Sequence, residues 1–250
     1  MLSIFKKEIH SFFSSIVGYL AMLIFIIACG IFLWVVPNTS ILDYGYASMD
    51  RFFELAPWFL LLLIPAVTMR AFAEEFRTGT IEWLSTKPIT TQNIVLGKYF
   101  ASVVLAAAAL LPTLLYVYSI ANLSAIEDSI DYGSIVGSYF GLLFLVAGFN
   151  AVGIFCSTLA SNQIVGFLIA LFSCYILFYG FESLSTITDL PVDFDYYLSM
   201  IGMSYHYNSI SRGIIDSRDV LYFLSLIIFF LSTFFYTILS CNMVFPSNAS

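Results

Sequence analysis

The chain has 250 residues, of which 60% are hydrophobic and only 10% charged, with a mean hydropathy of +0.95. A soluble domain of this size needs far more charge to cover its surface, so the composition excludes one and predicts a single polytopic membrane domain, all-α. The net charge of −7 comes mainly from loops predicted to lie outside the cytoplasm, where acidic residues meet no topological penalty, and does not argue for acidic substrates.

At the N-terminus, Phe5, Ile9, Phe12, Phe13 and Ile16 recur at helical spacing, with Lys6, Lys7, His10 and Ser14 on other faces. That pattern fits an interface helix lying among headgroups, or a simple continuation of the first span. Six runs reach the roughly 20 apolar residues a span requires: Ile16–Val36, Phe52–Met69, Tyr99–Ile120, Ser134–Leu159, Gln163–Phe181 and Val220–Ser240. The first continues well past the cleavage-box-like stretch ending at Cys29, so it is expected to be a retained anchor rather than a signal peptide.

Orientation follows the basic residues. With the N-terminus in the cytoplasm, Lys6, Lys7, Arg70, Arg77, Lys87 and Lys98 fall inside and Arg51, Arg212 and Arg218 outside, as the positive-inside rule asks. Four of the six inner ones lie between spans two and three, in MRAFAEEFRTGTIEWLSTKPITTQNIVLGK (69–98), the one stretch of dense mixed charge. There Gly79 permits a turn into a short helix over Thr80–Ser85, Ile81, Trp83 and Leu84 offer apolar contact, and Glu82 faces a basic partner. Pro88 ends the piece, and Thr90 or Thr91 can cap the next helix. Taken alone, these residues equally fit a passive amphipathic loop.

Within the spans almost nothing ionises. Asn150 is the deepest polar side chain, expected to bond to another helix. Carriers driven by an ion bound at mid-membrane need more than this, so the energy source is expected to arrive through the 69–98 segment. Pro57, Pro65 and Pro112 should bend their helices. Gly133, Gly137 and Gly141 line one face of span four for close helix packing. Before the last span, Glu182–Asp219 is expected to form one or two short helices on or dipping into the outer face, broken at Gly213.

Cys29, Cys156, Cys174 and Cys241 sit in apolar runs as small hydrophobes. His10 and His206 are too few for a metal site. No phosphate-binding loop is present: Gln92 stands where the motif around Gly97-Lys98 needs glycine. No protease or hydrolase pair and no nucleic-acid footprint is present. The chain is therefore expected to bind no cofactor and to hydrolyse no ATP itself.

The pattern resembles the permease subunits of type-2 ABC transporters. The resemblance is carried by the six spans, the N-terminal helix, the re-entrant helices before span six, and Glu74, Glu75, Arg77, Gly79, Thr80, Glu82, Leu84, Pro88, Gly97 and Lys98. It implies that residues Glu74 to Pro88 couple the permease to a separate ABC ATP-binding subunit. It also implies pairing with a second copy or a related permease, within the lipid of a bacterial cytoplasmic (inner) membrane. The stretch His206–Asp216, with Arg218-Asp219-Val220, is similar to the gliding-motility permeases of Bacteroidota, although the neutral tail from Cys241 departs from their basic ends. The competing reading is a non-transporting scaffold protein of the cell envelope.

Overall fold

The computed structural model describes residues 1–37, 39–41, 48–73, 90–124, 131–160, 162–187 and 192–244. Among them every regular element is helical. They are α1 (Leu2–Phe13), α2 (Ile16–Trp34), α3 (Asp50–Thr68), α4 (Thr91–Leu110), α5 (Leu114–Leu123), α6 (Tyr132–Thr158), α7 (Gln163–Tyr175), α8 (Phe181–Ile187), α9 (Val192–Ile201), α10 (Met203–Ile210) and α11 (Ser217–Val244). Five spans are long and apolar enough to cross a membrane, and a sixth if the pair α1–α2, bent by 68°, counts as one. The protein is a polytopic membrane protein. α2 contributes 19 uncharged residues, roughly 28 Å at the helical rise.

Local chemistry sets the helix ends. The Asp131 carboxylate accepts from the Gly133 and Ser134 amides at 3.0 and 3.1 Å and starts α6; the Asn162 side chain does the same for α7 through Ile164 at 3.1 Å. Each satisfies a donor that the first helical turn leaves orphaned. Thr90 occupies the N-cap of α4, but its hydroxyl makes no capping bond. Pro112 sits in the 3₁₀ turn Leu111–Thr113 that joins α4 to α5, as a residue without an amide should. α3 instead runs through Pro57 and Pro65 as one helix. One reason is visible at Pro57: it frees the Phe53 carbonyl, which accepts the Tyr207 hydroxyl at 2.6 Å.

α6 is the axis. It packs against α3, α4, α7, α10 and α11, and 72% of its span is buried, against 11% for α11. Its small residues allow this: a Cβ at Gly153 would meet Thr68 of α3 at 2.3 Å. Phe149, Leu142 and Leu145 of α6 and Leu60 and Ile64 of α3 are fully buried. The wide apolar faces of α2, such as Leu20, Leu23 and Ile24 at 55% exposure, suit lipid or a partner helix.

Polar groups in the spans bond mostly to backbone. Tyr99 donates to the Ala147 carbonyl at 3.2 Å and Tyr116 to Ile26 at 2.9 Å, joining α4 to α6 and α5 to α2. Asn150 differs from expectation: its amide donates to Val146 of its own helix at 2.7 Å, and its carbonyl oxygen has no partner among the described residues. Cys29, Cys156 and Cys174 are buried free thiols.

Candidate functional site

The two ends of the bundle differ. At one, here the near pole, α1, the turn after α3, the first half of α4, the last turns of α6 and the body of α11 close on a cluster that includes Ile4, Phe72, Ile94, Tyr99, Ile154 and Phe234. Lys98 lies at its centre and is 3% exposed. Its ammonium is 3.2 Å from the Glu8 carboxylate, donates to the Ala71 carbonyl and stands 4.4 Å from the centre of the Phe72 ring. A buried charge is tolerable only with such compensation. One side chain thus fastens α1 and the end of α3 to α4.

Gly97 makes the approach possible. A Cβ there would lie 3.2 Å from Ile4 and from the Met1 carbonyl, so α1 rests directly on the α4 backbone. α1 therefore rests on protein through Ile4, which is buried, while Lys6, Lys7, His10 and Phe13 stay exposed. Beside it, Arg70 donates to the Ser15 hydroxyl at 2.8 Å, joining the end of α3 to the α1–α2 elbow.

Glu74, Glu75, Arg77, Gly79, Thr80, Glu82, Leu84 and Pro88 lie outside the described residues. Ala73, the last described residue before this segment, is fully buried, and Thr90, the first after it, is exposed. Phe72, just before the segment, and Ile94, in the first turn of α4 after it, both belong to the cluster around Lys98. Sequence reasoning missed Glu8; the signal for it is that Glu8 is the lone acid of α1, placed beside two lysines.

At the far pole α10 is the keystone. A Cβ on Gly137 would come within 2.8 Å of the Gly213 Cα, and one on Gly141 within 3.0 Å of Ile210. Gly213 has φ +84°, a conformation that L side chains rarely adopt. Gly137 and Gly141 thus face the short helix and its following turn, whereas Gly133 meets its own Asp131 carboxylate at 3.2 Å. The Ser138 hydroxyl reaches the Ser211 carbonyl at 2.8 Å. Burial pushes the Tyr207 phenol well above its ordinary range, which keeps it a donor to α3. A cavity of about 390 Å³ opens beside α10, lined by Glu182, Ser204, Asn208, Arg212 and Asp216 among others. Sequence reasoning placed short helices here and Tyr207 at a membrane interface; that Tyr207 is buried against α3 and that His206 meets Asp219 depends on tertiary packing.

A sequence profile of the family described as ABC-2 family transporter protein matches residues 39–188, more than half of the chain. A search among curated proteins finds no match.

Proposed function

The chain belongs to the ABC-2 family of transporter proteins, and from that premise we propose that it is a permease subunit energised by a separate ABC ATP-binding subunit docking on residues 74–89. The observation that carries the coupling reading is the Lys98 junction. The segment is bracketed by Phe72 and Ile94, which belong to the cluster where one buried cation joins α1 and the turn after α3 to α4. A partner that pushes on the segment would act on these elements together, because they share one compensated buried charge. On this reading Glu74, Glu75, Arg77, Gly79, Thr80, Glu82, Leu84 and Pro88 form the docking surface. The assembly contains two ATP-binding subunits and a second permease, identical or related, in a bacterial inner membrane with the N-terminus inside. Export, or work supporting gliding motility, is the role suggested by the similarity of residues 206–220.

A gentle detergent pull-down of the tagged chain from its native membrane tests this, with partners identified by mass spectrometry. The expected result is a stoichiometric ATPase that is lost when residues 81–88 are replaced. In the purified complex, Glu82→Lys should uncouple ATP hydrolysis from the permease while membrane insertion persists. Recovery of no ATPase, under conditions that hold a known ABC complex together, would move the assignment to an envelope scaffold.

A further inference from the structure

We propose that His206 and Asp219 form a proton-binding site, and that the proton held there clasps α10 to α11 at the far pole. Both residues are buried, at 7% and 4% exposure. His206 Nδ1 is 2.7 Å from Asp219 Oδ1, and Nε2 is 2.9 Å from the Met200 carbonyl oxygen. The ring stacks on Tyr222 of α11 at 3.9 Å, and the Tyr222 hydroxyl donates to the Ile201 carbonyl at 2.6 Å. One imidazole therefore gathers the end of α9, the body of α10 and the first turns of α11.

The argument is a count of donors. A neutral imidazole has one N–H, and an ionised carboxylate and a carbonyl are both acceptors only. With that complement of protons, one of the two contacts sets lone pair against lone pair at hydrogen-bond distance. The geometry is satisfied only with one further proton. It resides either on the ring, giving imidazolium and carboxylate, or on Asp219, whose acid proton then meets Nδ1. Both arrangements are electrically neutral as a pair. Asp219 Oδ2 is itself buried without a hydrogen-bond partner among the described residues, so loss of the proton leaves an unbalanced carboxylate in the interior, a costly state.

The other titratable and charged neighbours come from each adjoining element. Arg218 flanks the pair and Tyr222 covers the ring from α11. Tyr205 packs edge-on at 5.3 Å within α10 and is bonded to Tyr196 of α9 at 3.4 Å. Glu182 of α8 bonds the adjacent Ser204. From α6 and α3, the described contacts to α10 and its following turn include Ser134, Gly137, Ser138, Gly141, Gly148 and the Phe53 carbonyl, none of which titrates in the physiological range. The sign follows from linkage. The clasped state binds one proton more than a separated neutral imidazole and carboxylate, so acid favours the clasp and rising pH releases it. The site stands on these contacts and not on ATPase coupling, so its failure would leave the family reading untouched.

Hydrogen exchange of the full chain in nanodiscs, followed over residues 199–210 as a function of pH, tests the proposal. After correction for intrinsic exchange, protection should fall as pH rises, by up to about tenfold per pH unit, the slope for one proton. In Asp219→Asn the new amide donates to Nδ1 while Nε2–H keeps the Met200 carbonyl. That variant should remain protected with a flat profile, and Asp219→Ala should be open throughout. Equal pH slopes in wild type and Asp219→Asn would overturn the proposal. A second measurement needs no change at the pair: in His10→Asn, His206 is the sole imidazole, and its ¹⁵N titration should coincide with the loss of protection. Titration with no change in protection would overturn it as well.

Discussion

Tyr207 donates to a carbonyl that Pro57 has left without its helical amide. This single pairing explains both why a proline is tolerated in α3 and what holds α10 in place. Tyr207→Phe should cost about 1–3 kcal/mol, the usual penalty for orphaning a buried acceptor, read as a lower Tm in detergent. The loss should shrink in a Pro57→Ala background, where a restored amide supplies the same carbonyl; an equal loss in both backgrounds would show that the acceptor is not shared. The three span-four glycines should also separate. Gly137→Ala forces a methyl against the Gly213 backbone and should destabilise by about 1–3 kcal/mol. Gly133→Ala meets only the Asp131 carboxylate that caps α6 and should cost less than about 1 kcal/mol. Equal effects would mean that the α6–turn contact is not closely packed. The stripe of glycines was legible in the sequence; which of them meets a neighbour was not, because that depends on where residues 210–213 return.

Among the elements, α1 shows how a sequence pattern is reused. Its amphipathic spacing was visible and fitted either an interface helix or a continuation of the first span. The structure puts Ile4 on Gly97 and Glu8 on Lys98, so this face of α1 packs on protein. Gly97→Val should lift α1 from α4, since the added atoms meet Ile4 and the Met1 carbonyl, and trypsin cleavage at Lys6 and Lys7 should accelerate several-fold. An unchanged cleavage rate would mean that α1 does not rest on α4. Pro112 falls in a 3₁₀ turn between α4 and α5, whereas α3 continues as one helix through Pro57 and Pro65. The difference lies in what each freed carbonyl can find, which is a tertiary matter.

For the whole molecule, the basic residues favour a cytoplasmic near pole. A cysteine replacing exposed Asn208 should then react with an impermeant maleimide in intact spheroplasts, and one replacing exposed Ser11 only after permeabilisation. The reverse pattern would invert the topology and move residues 74–89 outside. The sequence by itself determined that this is an all-helical membrane protein, because so little charge and such long apolar runs leave the backbone no other way to satisfy its hydrogen bonds. It also singled out 69–98, since charge excluded from lipid must gather in loops. Only the tertiary structure decided that α6 is the axis, that Lys98 joins α1 to α3 and α4, and that His206 meets Asp219. Those pairings bring together residues tens of positions apart, or on different helices of one short segment. Helical periodicity tells which face of an element is apolar, but not which other element will cover it.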